Sequence, residues 1–105
     1  MTQVLLPGTT IRLSRFVFGT ASLHHVSEVE QLNLLFAAAD AGITHFDTAP
    51  YYGFGLAEKA LGQLLANKPD LTVATKVGLY PQPLRTGTRA ELLGRKAIGR
   101  FLPGF

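Results

Sequence analysis

Gly42-Ile-Thr-His-Phe-Asp47-Thr-Ala-Pro-Tyr-Tyr52-Gly-Phe-Gly-Leu-Ala-Glu58-Lys-Ala-Leu-Gly62 is the stretch whose reading decides the fold. Ile43 to Phe46 is a short apolar run that ends on an acid, Asp47. A polar loop with two adjacent tyrosines follows. From about Leu56 to Ala66, Ala57, Ala60, Leu61, Leu64 and Leu65 fall on one face at helical spacing. Strand, polar loop and amphipathic helix in that order make one βα unit, with its chemistry at the strand's carboxyl end.

The flanking sequence repeats the unit. Upstream, Ser27 and Glu30 form an S-x-x-E capping box before Leu32, Leu35, Phe36 and Ala39, and Gly42 supplies a helix stop. Ahead of that helix, Arg15-Phe16-Val17-Phe18 runs into Gly19-Thr20 as a β-rich stretch. Val4-Leu5-Leu6 and Thr10 to Leu13 flank Pro7-Gly8-Thr9, which suits a hairpin. Downstream, Asn67-Lys68-Pro69-Asp70 breaks the second helix. Leu71 to Val77 then alternates Leu71, Val73, Thr75 and Val77 against Thr72, Ala74 and Lys76. Hairpin, β, α, β, α, β calls for parallel strands joined by right-handed helical crossovers. An open doubly wound sheet and a (β/α)8 barrel both begin this way.

Composition narrows the function classes. The chain has 105 residues, 47% of them hydrophobic and 16% charged, which excludes disorder and suggests extensive burial. With no cysteine there is no disulfide scaffold, thiolate metal site or cysteine nucleophile, a pattern that fits a reducing cytoplasm. No apolar run approaches the roughly 20 residues of a membrane span, and the N-terminus lacks the form of a signal peptide. The net charge of +3 is unevenly placed: residues 1–76 hold five basic and six acidic side chains, residues 77–105 five basic and one acidic. The sequence therefore divides near residue 78. Residues 79–105, with Pro81, Pro83, Arg85 and Pro103, read as a basic Gly/Pro-containing loop or the start of a next helix, and the loop is favoured. Thr88 and Glu91 form a second capping box there. Leu93, Ala97, Ile98, Phe101 and Leu102 make an apolar stripe beside Arg89, Arg95, Lys96 and Arg100, weakened as a helix by Gly94 and Gly99. A basic amphipathic helix could dock on anionic membranes or partner grooves, but no membrane partner is expected, and no nucleic-acid motif accompanies the charge.

Ligands of parallel α/β folds bind beyond the carboxyl ends of the strands. Three such ends carry unusual residues here: Gly19-Thr20, Asp47 and Lys76. Strand parity puts Lys76 on the face of Thr72 and Ala74, where an ammonium needs a carboxylate, and Asp47 is the available one. A phenol is a poor acid–base group near neutral pH, and a neighbouring ammonium favours its phenolate. Tyrosine, lysine and aspartate together can therefore protonate a carbonyl oxygen as hydride reaches carbon. The simpler alternative is a buried Asp–Lys pair with a packing tyrosine. Gly53-Phe-Gly55-Leu-Ala-Glu58 nearly spells a dinucleotide fingerprint, but it does not follow its strand at once, and Glu58 would oppose phosphate. His24-His25 lacks a carboxylate at ligand spacing, so no metal is expected. His45 reads as a hydrogen-bonded interior histidine.

These residues resemble the aldo/keto reductase family. The stretch quoted above is similar to its pattern of G, F-D-T-A, Y-G and E-x-x-L-G. Phe18-Gly19-Thr20-Ala21 resembles its first-strand element, and Thr75-Lys76-Val77 its third-strand lysine. The resemblance covers residues from about 4 to 78, with the wording closest to an aldose or sugar dehydrogenase branch. It implies the N-terminal portion, a hairpin and about three βα units, of an incomplete (β/α)8 TIM barrel. It further implies hydride exchange between NADP or NAD and a small-molecule carbonyl or sugar. Asp47, Tyr52 and Lys76 would then be the catalytic residues. Gly19, Thr20 and Asp47 would meet the cofactor, and Tyr51 and His24 would line the substrate pocket.

One departure stands against these agreements. The family's fourth catalytic residue is a histidine on the fourth strand, yet His24, His25 and His45 all precede Lys76. The resemblance thus implies an incomplete and inactive fragment. The alternative is a short non-catalytic binding or interaction protein that retains the motif.

Overall fold

Phe46 organises the layers. It is fully buried at the centre of β4 (His45–Asp47), and its face of the sheet is the one the helices cover. In the computed structural model, which describes residues 1–78, 84 and 86–101, β4 lies between β3 (Phe18–Gly19) and β5 (Thr72–Ala74), all parallel. Helix α1 (Glu28–Asp40) connects β3 to β4, and α2 (Leu56–Asn67) connects β4 to β5. Leu35, Ala38, Ala60, Leu61 and Leu64 pack with Phe46 and Leu23 in one cluster, bordered by Phe18, Ile43, Leu71 and Val73. Both helices thus cover one face of the sheet. His45 and Asp47, of opposite parity to Phe46, face the other side.

Local chemistry sets the ends of the elements. Ser27 Oγ accepts the Glu30 backbone N–H at 3.3 Å and caps α1. Gly42 ends that helix at φ 103°, its N–H donating to the Ala39 carbonyl while Ile43 donates to Ala38. A side chain there would suffer both from the left-handed backbone and from Met1 Cβ, 3.0 Å from where its own Cβ would stand. The N-terminal hairpin forms as expected from β1 (Gln3–Leu5) and β2 (Arg12–Ser14). It is tied to the base of β4 by a reciprocal pair: Ser14 N–H donates to Thr44 Oγ1 at 2.8 Å, and Thr44 N–H to Ser14 Oγ at 2.9 Å.

The strands are shorter than their apolar runs. Pairing begins only at Phe18, and Phe16 is 63% exposed. At the other edge β5 stops at Ala74, and Val77, expected on the helix-facing side, is 86% exposed. The C-terminal segment also differs from the favoured loop: α3 spans Arg89–Phe101, and Thr88 Oγ1 caps it by accepting the Glu91 N–H at 3.3 Å. Arg85, Pro81, Pro83, Pro103, Leu102 and the side chains of Ala97, Ile98, Arg100 and Phe101 lie outside the described residues. No helix among the described residues is long and apolar enough to cross a membrane.

Leu35 has no exposed surface and sits where α1 meets the core. Leu35→Ala is expected to remove about 2–5 kcal/mol of stability in denaturant titration. A loss below about 1 kcal/mol would place Leu35 outside the core that holds β4.

Candidate active site

Register brings the polar residues together. Asp47 pairs with Ala74 across the β4–β5 ladder, so the chain continuing past β5 passes the Asp47 carboxylate. Lys76, two residues on and of the same parity, places Nζ at 3.2 and 3.0 Å from the two Asp47 carboxylate oxygens and donates to the Thr48 carbonyl at 2.9 Å. Both side chains of the pair are nearly half exposed, so the pair is not buried as the alternative reading supposed. The Asp47 hydrogen bond, more than any other contact, holds the Lys76 ammonium above its ordinary range; desolvation, the next largest influence, works against it, and the Tyr52 hydroxyl and the charge of Asp47 add to it.

Tyr52 reaches the same point from the loop after β4. Lys76 Nζ lies 4.9 Å from the centre of its ring, within cation–π range. The loop turns sharply to bring it there: Gly53, Phe54 and Gly55 take φ values of 59°, 51° and 97°, three successive left-handed residues. At Gly53 a Cβ would stand 3.1 Å from His24 Cβ and 3.3 Å from Leu56 Cβ, so a side chain there would be crowded as well as strained by the left-handed backbone. Phe54 takes this conformation at a cost of about 1–2 kcal/mol. Glu58, on the first turn of α2, accepts the Thr75 hydroxyl at 2.8 Å and anchors the residue next to Lys76.

The remaining expected residues divide. His24 is 8% exposed and Tyr51 46% exposed, and both line a cavity of about 370 Å³ with Ala21, Tyr52, Phe54 and Lys96. Asp47 and Lys76 are not on its wall, so Tyr52 is the residue that links cavity and ion pair. Thr20 is fully buried, its hydroxyl donating to the Asp47 carbonyl at 2.9 Å. Its side chain therefore supports the end of β4. Gly19 is exposed, and a Cβ added there would meet nothing within 4 Å, which leaves room for a flat ring beside the backbone. His45 is hydrogen-bonded, Nδ1 to Thr72 Oγ1 at 2.7 Å.

Two residues escaped the sequence reading. Arg89 Nε donates to the His24 carbonyl at 2.8 Å and an Arg89 terminal nitrogen to the His25 carbonyl at 3.1 Å. Lys96 Nζ lies 2.7 Å from His24 Nε2. The only signal for either was the basic character of the C-terminal segment, since their partners lie more than sixty positions away. Burial, then the charges of Lys96, His25 and Arg89, push the His24 imidazole below its usual pKa of 6.5. A group whose folded value is depressed binds fewer protons folded than unfolded, so its protonation opposes folding. Stability should therefore fall as pH drops through 6.5 toward that lower value, and His24→Gln should flatten this part of the profile. Denaturation midpoints between pH 7.5 and 5.5 test it. Identical slopes in the two proteins would contradict it.

Comparison with known proteins places the chain and its fold in one family. The model for the Aldo/keto reductase family matches residues 15–98. The chain is 50% identical over 64 residues to a D-threo-aldose 1-dehydrogenase of a Pseudomonas species, covering 57% of this chain and 20% of that protein. It is 41% identical over 100 residues to pyridoxal 4-dehydrogenase of Microbacterium luteolum, covering 90% and 26%. Among solved structures, an aldo-keto reductase of Bacillus halodurans in its holo form superposes with a TM-score of 0.72 at 30% identity, over 78% of this chain and 28% of that one. The glycerol dehydrogenase of Gluconobacter oxydans gives 0.65 at 35% identity, over 79% and 28%. These structures are (β/α)8 barrels, of which the described residues form a partial α/β piece without a closed barrel. The chain spans about a quarter or less of the length of these two curated relatives. With its family model matched from Arg15 to Ile98, the chain belongs to the aldo/keto reductase family.

Proposed function

We propose that Asp47, Tyr52 and Lys76 are the acid–base set of an NAD(P)-dependent oxidoreductase that interconverts carbonyls, namely aldehydes, ketones or aldoses, and alcohols. The observation that carries this reading is the ammonium of Lys76, gripped by Asp47 and set 4.9 Å from the Tyr52 ring centre beyond the parallel strand ends. NADP or NAD, when bound, supplies or accepts the hydride. Tyr52 donates its hydroxyl proton to the carbonyl oxygen during reduction and takes it back during oxidation. Lys76 opposes the negative charge left on the phenol oxygen, and Asp47 with the Thr48 carbonyl keeps the ammonium charged and in place.

The residues present fit the nicotinamide end of the cofactor. Gly19 leaves open space against the backbone, and the half-exposed Asp47 carboxylate offers an acceptor for hydroxyl groups. Thr20 acts behind them, holding the Asp47 carbonyl. Tyr51 and His24 face the substrate. An aldose or related sugar aldehyde is favoured, in keeping with the names of relatives such as D-threo-aldose 1-dehydrogenase and L-galactose dehydrogenase. Turnover belongs to the complete barrel, and the 105-residue chain alone is inactive.

Two measurements test this. The purified chain should oxidise neither NADPH nor NADH in the presence of aldoses, and oxidation abolished by Tyr52→Phe would overturn its inactivity. When residues 1–78 replace the matching segment of the Pseudomonas aldose dehydrogenase, turnover should survive. Tyr52→Phe should then lower kcat by about 10²–10⁴-fold while cofactor affinity is kept. An unchanged kcat would remove Tyr52 from the acid–base role.

A further inference from the structure

The cavity beside Tyr52 carries a positive charge that hydride chemistry does not use. Lys96 Nζ meets His24 Nε2 at 2.7 Å, and an ammonium cannot accept, so the imidazole accepts at Nε2. With its pKa depressed, the ring is neutral near pH 7 and keeps its proton on Nδ1, which is buried and without a hydrogen-bond partner among the described residues. The histidine therefore orients the lysine without cancelling its charge. Arg89 stiffens the same corner: it donates to two backbone carbonyls, and its own backbone N–H donates to Glu28 at 2.8 Å, which holds that carboxyl below its ordinary range. Glu28 thus stands by Arg89, while Glu91 is paired with Arg95 at 2.9 Å. Among the described residues no carboxylate forms an ion pair with Lys96.

We propose that Lys96, held by His24, is a subsite for an anionic group, a carboxylate or a phosphate, on the carbonyl substrate. The cavity of about 370 Å³ is bounded by Lys96 and His24 and also by Tyr52. That volume lies at the lower end of the range for small-molecule sites, which suits an aldehyde of a few carbons with its acidic group on Lys96. The apolar rims of Tyr51 and Phe54, whose rings contact edge to face at 5.5 Å, cover the chain between. A charge-assisted hydrogen bond from this exposed ammonium should favour the acidic member of a matched pair about tenfold. The proposal rests on the reading of Tyr52 as the acid, because that residue fixes which end of the substrate the cavity receives.

The test is binding to the full chain at low ionic strength, followed by NMR shifts of His24 and its neighbours. The matched probes are 4-oxobutanoate against butanal and glyceraldehyde 3-phosphate against glyceraldehyde. The acidic member of at least one pair should bind about tenfold more tightly, and the pair that shows it distinguishes carboxylate from phosphate. Lys96→Met should bring the ratio to about one while butanal and glyceraldehyde bind as before, and Lys96→Arg should keep it. Equal binding within both pairs, or a preference that survives Lys96→Met, overturns the proposal. Binding to this chain is read apart from turnover of the chimaera carrying residues 1–78, which lacks Lys96, so the two readings fail separately. Equal binding in a protein whose completed barrel is active removes the anion subsite alone. A charge preference that vanishes in Lys96→Met, in a barrel indifferent to Tyr52→Phe, supports the subsite and removes the acid–base role.

Discussion

The ion pair between Lys76 and Asp47 is the constraint around which the polar end of this protein is arranged. It closes across the β4–β5 ladder, where neighbouring strands put a residue two positions past one strand end within reach of the last residue of the other. A shift of one residue in that register would turn Lys76 toward the helices and separate the pair. The features around it act as guarantors of the register. Phe46 and Val73 are held against the helical layer, the Thr75 hydroxyl is held by Glu58, and Thr20 holds the Asp47 carbonyl. A site charge that is half exposed gains little stability by itself. Its geometry is provided by packing on the opposite face of the sheet.

That division of labour explains why the two faces differ in chemistry. Strand parity sends apolar residues to α1 and α2 and leaves His45, Asp47, Thr72, Ala74 and Lys76 on the other side. In the barrels that this chain resembles, such a face looks inward. The Ser14–Thr44 pair fixes the hairpin at the base of β4, while the loops carrying His24, Tyr51 and Tyr52 gather at the strand tops. One end of the unit is tied down by hydrogen bonds, and the other gathers the residues proposed for the chemistry.

Much of this was legible in the sequence, and the misses have physical causes. Helices α1 and α2 were readable because the Ser27 cap, the Gly42 stop and an apolar stripe are local signals. The pairing of Asp47 with Lys76 was readable because parity and strand order determine it. Strand ends were not: an apolar run records burial, whereas a strand requires a hydrogen-bonded neighbour, so residues 16–17 and 75–77 read as strand without joining the ladder. The left-handed Phe54 gave no sign beyond its flanking glycines. Helix α3 and the cationic corner of Arg89 and Lys96 depend on the carbonyls and ring of a loop distant in sequence. There the basic composition was visible but its target was not.

The central claim is that Asp47 keeps the Lys76 ammonium charged and fixed beside Tyr52. The direct measurement is the pH titration of the Lys76 side chain by NMR in the wild-type chain and in Asp47→Asn. The account predicts a wild-type midpoint above 10.5, the ordinary lysine value, and a return toward it in the variant. Because the folded value is raised, the stabilisation from the pair is complete below 10.5 and is lost as pH rises through the wild-type midpoint. A Lys76 midpoint that Asp47→Asn leaves unchanged would contradict the account.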